Sequence, residues 1–259
     1  MSRYAFILAS MPEIRLGARP EISFKEMLDL LAMNLSSSDR KKVSQLLRLV
    51  DLDNVKAFWL GFPLNERGTL SAKELEEALL VKDFLPFYLI DFLERYETTE
   101  QRLHEFPQLY AKLYQEMEKS PDSFIRSYYR LEREIRLVLV ALRAKRAQRD
   151  LTRELRFEDL DDPFVMNILV QKDAPDYTPP QEYEALKEIF LENEADPMKF
   201  HRALLQYRFD RILDLEEEHL SFSIERILGF LARLMIVEMF DQLDREKGLT
   251  LIDELSRNG

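Results

Sequence analysis

Apolar residues recur at i, i+3 and i+4 along nearly the whole chain, the period that places them on one face of an α-helix. The spacing predicts helices over roughly 38–50, 53–61, 83–97, 106–118, 122–149, 164–171, 180–193, 196–218 and 221–245, with a short one near 249–256. Two starts are marked by polar residues. Ser23 stands three positions before Glu26, and Ser71 three before Glu74, each ahead of an apolar run. In such a capping box the hydroxyl and the carboxylate satisfy backbone donors that the first helical turn leaves unpaired. Period-2 alternation is confined to Tyr4–Leu8, a segment that suits a strand or a helix.

The pattern breaks at Met11–Ile22, at Gly61–Leu70 and at Lys172–Pro180, where Pro175, Pro179 and Pro180 make the best candidate for a hinge. The expectation is an all-α chain, one domain over residues 1–259, with approximate internal units at 1–98, 99–172 and 173–259. The longest apolar stretch, Ile227–Val237, contains Arg233 and lies between Glu225 and Glu238. It falls far short of the roughly 18 uncharged residues a membrane span needs and predicts a buried helix.

Composition narrows the function classes. With no Cys among 259 residues there is no thiolate nucleophile, disulfide or Cys-type zinc site, which fits a reducing, cytoplasmic setting. The apolar run Tyr4–Ala9 is too short and too weakly flanked for a signal peptide. The net charge of −11 sets the surface against phosphate backbones and makes nucleic acid a poor partner.

Candidate chemistry is sparse. Asp51, Asp53 and Asn54 open like a calcium loop, but Val55 stands where a ligand is required and Lys56 where the glycine is required. They are better read as a helix start. Glu216 and His219 give half of a di-iron motif, yet Gln101 and Met198 stand three residues before the other candidate histidines, His104 and His201. Glu216, Glu217 and Glu218 are therefore read as a solvated acidic face. The sequence holds no glycine-rich phosphate loop and no Gly-x-Ser-x-Gly elbow, and pairs such as Asp161 and Asp162 are unremarkable in an acidic chain. The expectation is a non-enzyme without cofactor or metal; an enzyme assembled from distant carboxylates is the rival.

The run Arg143, Lys145, Arg146 and Arg149 closes a long helix on an otherwise acidic chain. Cations there complement the helix dipole, and as a group they also offer a docking patch. Trp59 and the aromatic cluster Phe84, Phe87, Tyr88, Phe92 and Tyr96 read as core. Tyr128 and Tyr129 are adjacent, so one is expected to point away from whatever the other faces, which makes one of them a candidate for an interface.

A weak repeat runs through the chain: an apolar helix, a short charged or glycine-containing connection, then a Leu-rich segment. Asp51–Leu60 leads to Gly68–Leu75, Arg136–Arg146 leads to Leu151, and Arg233–Leu243 leads less regularly to Lys247–Ile252. Asn54 and Leu137 occupy equivalent places 83 residues apart. The pattern resembles the C-type stalk-coupling component of the V/A-type rotary ATPases, whose repeats carry Asn-x-Lys-x-x-Leu-Arg-Ala-Lys, then a glycine and a new helix. Asn54 and Lys56 match its first part and Leu142–Lys145 its last; Leu137 takes the Asn place in the second copy and Leu60 the Arg place in the first. The phrases Tyr4–Pro12 and Pro20–Met27 also resemble the opening of a bacterial family of uncharacterised proteins encoded among V-type ATP synthase subunits.

The resemblance implies a funnel-like protein of three related helical units. It would be a non-catalytic component on the cytoplasmic, inner face of the membrane, with the central stalk and the membrane rotor ring as partners and no membrane insertion of its own. Arg143, Lys145, Arg146 and Arg149 are then expected on the stalk-facing surface. The alternative is a free-standing helical adaptor with no part in an ATPase.

Overall fold

The computed structural model describes residues 4–219 and 223–258. It is all-helical: α1 Ala5–Ser10, α2 Phe24–Asn34, α3 Ser37–Leu60, α4 Ala72–Val81, α5 Phe87–Arg95, α6 Thr99–Glu105, α7 Pro107–Met117, α8 Ser123–Arg146, α9 Leu151–Glu154, α10 Pro163–Leu169, α11 Glu184–Glu192, α12 Pro197–Glu217 and α13 Ile224–Asn258. A single 3-10 turn, Gln181–Tyr183, precedes α11, and no strand occurs among the described residues. Tyr4–Leu8 resolves into the helical alternative. Ala5–Leu8 belong to α1, and Tyr4 is hydrogen-bonded to Asp39.

Both expected capping boxes form. The Ser23 and Ser71 hydroxyls accept from the backbones of Glu26 and Glu74, whose carboxylates accept in return from the backbone N–H of the serine at 2.8 Å. A third box, Thr98 with Gln101, starts α6. Several boundaries differ from the periodic reading. The helices expected at 38–50 and 53–61 are one, α3, because Asp51 and Asp53 spend their carboxylates on other segments and not on a new helix start. The helix expected from residue 83 begins only at Phe87, after Lys82 and Phe84 adopt positive φ and Pro86 caps α5. The two C-terminal helices are joined in α13.

The chain sorts into two compact units, residues 41–177 and residues 1–40 with 178–259. One boundary falls in the Pro-rich break and the other inside α3, a different division from the three units of the repeat pattern. In the central unit α8 is the core. Phe124, Ile125, Tyr128, Tyr129, Leu137 and Val138 are buried on several of its sides, and α7, α9 and α10 pack against it. A helix covered on more than one side can bury neighbouring positions that point in different directions, and Tyr128 and Tyr129 are both buried. The Tyr129 hydroxyl donates to the Gln45 carbonyl at 2.7 Å and accepts from Leu49 N–H at 3.2 Å, so its polar tip is satisfied.

In the other unit α13 packs on α12 and α2, and α11 on α12. The Ile227–Val237 stretch is buried throughout, as the sequence predicts. The Glu238 carboxylate accepts from Phe24 N–H at 2.7 Å, placing a negative charge at the N-terminus of α2 where the helix dipole favours it. Among the described residues no helix is long and apolar enough to cross a membrane.

Candidate functional site

Asn54 lies in the C-terminal half of α3, buried, where a polar side chain must find partners. It finds both in the following connection. Its amide Nδ2–H donates to the Asn65 carbonyl at 2.9 Å, and its Oδ1 accepts from Asn65 N–H at 2.7 Å. One turn earlier Asp51 accepts from Thr69 N–H at 2.6 Å and from the Thr69 hydroxyl at 2.9 Å. Gly68 sits between them, where a Cβ would overlap Asn54 Nδ2. Asn54, Asp51 and Gly68 thus staple the 61–70 connection to α3 and fix where α4 starts. Burial pushes the Asp51 carboxyl above its ordinary value against the pull of the Thr69 donors. Asp53 accepts from the Tyr110 hydroxyl at 2.6 Å, and the Arg136 guanidinium lies 5.1 Å from the Tyr110 ring centre. The three residues that open like a calcium loop are therefore directed to three different protein partners.

The basic run at the end of α8 divides. Lys145 Nζ donates to the carbonyls of Gln171, Lys172 and Ala174 at 2.5–2.7 Å, closing the turn after α10. Arg149, just beyond the helix, pairs with Glu154 of α9 at 3.0 Å. Arg143 and Arg146 are exposed. Protein packed about Arg143, followed by the charge of Arg149, lowers the Arg143 pKa. Two of the four cations expected on an interface thus hold the unit's own segments.

Charged groups are also buried. Arg133 donates to Glu158 at 3.2 Å and to Asp162 at 3.0 Å, and Arg136 reaches the other Glu158 oxygen at 2.9 Å. Asp162 also caps α10, accepting from Phe164 and Val165 N–H. Burial would raise the Asp162 carboxyl, but the Val165 N–H and Arg133 outweigh it and hold it below the ordinary carboxylate range. In the other unit Glu216 is 4% exposed and receives Arg233 Nε at 2.8 Å and Arg233 Nη2 at 2.6 Å. This corrects its reading as part of a solvated face, which holds for Glu217 and Glu218 only. Gly229 permits the approach, since a Cβ there would stand 2.6 Å from Glu216 Cγ. Periodicity alone gives no sign of this pair, whose members lie 17 residues apart on different helices.

The aromatic residues expected in the core also divide. Phe92 is buried and stacks on Trp59 at 6.2 Å, while Phe84 and Phe87 are 91% and 86% exposed. They border a groove of about 770 Å³ in the central unit. It is also lined by the buried Leu52, Val55 and Leu75 and by residues of α7 and its C-terminal extension. No group of three or more potential metal ligands occurs among the described residues.

Relatives match the chain nearly end to end. An "Uncharacterized protein" of Chlamydia muridarum is 29% identical over 264 aligned positions, covering 99% of this chain and 98% of its own length. One of Chlamydia trachomatis is 28% identical over 260 positions, covering 98% and 96%, and one of Chlamydia pneumoniae is 28% identical over 264, covering 99% and 98%. No solved structure matches the chain at a significant level. The family model described as "Protein of unknown function (DUF2764)" matches residues 1–258, and the chain belongs to that family.

Proposed function

We propose that the protein is a non-catalytic, C-type component of a V-type ATP synthase or ATPase, linking the central stalk to the membrane rotor ring from the cytoplasmic side. The observation that carries this reading is the Asn54 staple. The repeat of the C-type component is a helix bearing Asn-x-Lys, then a glycine, then a new helix. In this chain Asn54 and Lys56 belong to α3, Asn54 clasps the backbone of Asn65, Gly68 is the residue whose missing side chain admits that clasp, and α4 starts after Ser71. Asn54 and Gly68 thus share one structural task, fixing the path between consecutive helices. A part that transmits force needs its connections held in this way. In the second copy Lys145 likewise holds a neighbouring turn through three carbonyls.

Such a component works through shape and docking, and its partners are proteins. Arg143 and Arg146, the exposed cations at the end of α8, would meet the acidic side of the stalk. Charges at a rim mainly set encounter rate and specificity, so reversing both would slow assembly more than abolish it. The reading is tested by purifying the tagged full-length protein from detergent-solubilised native cells and identifying what accompanies it. Catalytic and stalk subunits of the rotary ATPase in fixed ratio are expected. Their absence from the eluate, while abundant in the lysate, would overturn the reading in favour of a free-standing adaptor.

A further inference from the structure

The groove of the central unit is bordered by a turn of unusual backbone conformation. Lys82 and Phe84 both occupy the left-handed region, with φ of 55° and 60°. Bulky side chains rarely adopt it, and strain of this kind persists where function or surrounding structure demands it. The Asp83 carboxylate accepts from Phe84 N–H at 2.8 Å, Pro86 occupies the N-cap position of α5, and Phe84 is projected outward. Phe87, just beyond the proline, is projected as well. The groove is also lined by Lys112, Gln115, Glu116 and Lys119, spaced i, i+3, i+4 and i+7, one stripe of α7 carried past its end. Glu116 is paired with Arg48, and Asp51 is occupied by Thr69. Lys112 and Lys119 are exposed, and neither has an ion-pair partner among the described residues. Two exposed phenylalanines and two cations without an ion-pair partner among the described residues thus line one mixed polar and apolar groove, on a chain whose net charge is −11.

We propose that this groove binds an amphipathic α-helix of a partner protein, whose apolar face carries Leu or Phe against Phe84 and Phe87 and whose flank carries carboxylates two turns apart. The two lysines are seven residues apart, about 10 Å at the helical rise, which is the separation of side chains at i and i+7 on a bound helix. Helix-in-groove recognition draws affinity from apolar anchors, and matched charge sets orientation. Binding of this kind does not depend on membership of a rotary ATPase. It uses a different surface from Arg143 and Arg146 and is tested without any ATPase subunit.

The test uses the full chain and two labelled 18-residue helical peptides with the same Leu/Phe face, one bearing Glu at i and i+7 on its flank and the other Lys, read by fluorescence anisotropy. The Glu peptide is expected to bind at least about tenfold more tightly than the Lys peptide. In the variant Lys112→Glu/Lys119→Glu the preference should invert, a gain of binding that loss of folding cannot mimic. Phe84→Ser/Phe87→Ser should weaken the Glu peptide by about tenfold or more, with an unchanged thermal melt. Equal affinity for the two peptides, or no binding of either, overturns the proposal. So does self-association in sedimentation equilibrium that the Phe84→Ser/Phe87→Ser variant abolishes, because the groove would then belong to a second copy of the chain.

Discussion

Ile227–Val237 of α13 and the Leu80–Phe87 segment, which runs from the end of α4 to the start of α5, are both rich in apolar residues, and their fates are opposite. The first is buried throughout and includes a charge. The second leaves Leu80, Val81, Phe84 and Phe87 exposed. The difference lies in what surrounds them. Helix α13 has α12 and α2 against it, and Glu216 neutralises the charge it carries inward. The turn has positive-φ residues and a proline that prevent it from folding its aromatics back. An apolar pattern states that a face is to be covered; whether this chain or another molecule covers it depends on the backbone.

The contrast is sharpest at the buried pair. Arg233→Leu leaves the Glu216 carboxylate buried without its main partner and should cost about 3–5 kcal/mol in chemical denaturation. The double variant Glu216→Leu/Arg233→Leu should recover most of that loss, because no charge is then left uncompensated. Equal losses in both variants would show that packing, and not charge, is what the site supplies.

Asn54→Ala removes one donor and one acceptor that hold Asn65 and should destabilise by about 1–3 kcal/mol. Hydrogen exchange should rise in the 61–70 connection more than in α8. Gly229→Ala is the next smaller effect. Alanine improves helix propensity by about 1 kcal/mol, but Glu216 is pinned and cannot yield to a new Cβ, so overpacking of about 1–3 kcal/mol should leave a net loss. In a Glu216→Ala background the same change should become neutral or stabilising.

The smallest expected effect is at the turn. Phe84→Ser/Phe87→Ser should alter stability by no more than about 0.5 kcal/mol, since neither ring is buried. A large loss of stability would show that the two rings support the fold and are not presented for a partner.

How much of this is legible in the sequence depends on the range over which each interaction acts. The Ser23–Glu26 and Ser71–Glu74 boxes act within four residues, so spacing alone finds them. Thr98–Gln101 carries the same signal in its Thr/Gln form, which the Ser/Glu pattern does not catch. The burial of Ile227–Val237 follows from its composition. The Asn54 staple is half visible: Asn54 and Gly68 stand out in the repeat, but that the amide brackets Asn65 depends on where the chain turns back. Glu216–Arg233 is invisible to periodicity, because nothing local distinguishes a glutamate at a buried helix crossing from its solvated neighbours Glu217 and Glu218. Lys145 stands out for its charge, yet its three carbonyl partners belong to a turn 26–29 residues away. The core reading of Phe84 and Phe87 fails for a backbone reason: positive φ at Lys82 and Phe84 ends the periodicity that would place them there.

The proposed coupling role is tested most directly by removing the protein from its cell. Rotary ATPase solubilised from depleted cells should sediment on a glycerol gradient as separate soluble-motor and membrane-ring assemblies, and added purified protein should restore the joined particle. A joined particle of normal size and composition in the absence of the protein would contradict that role.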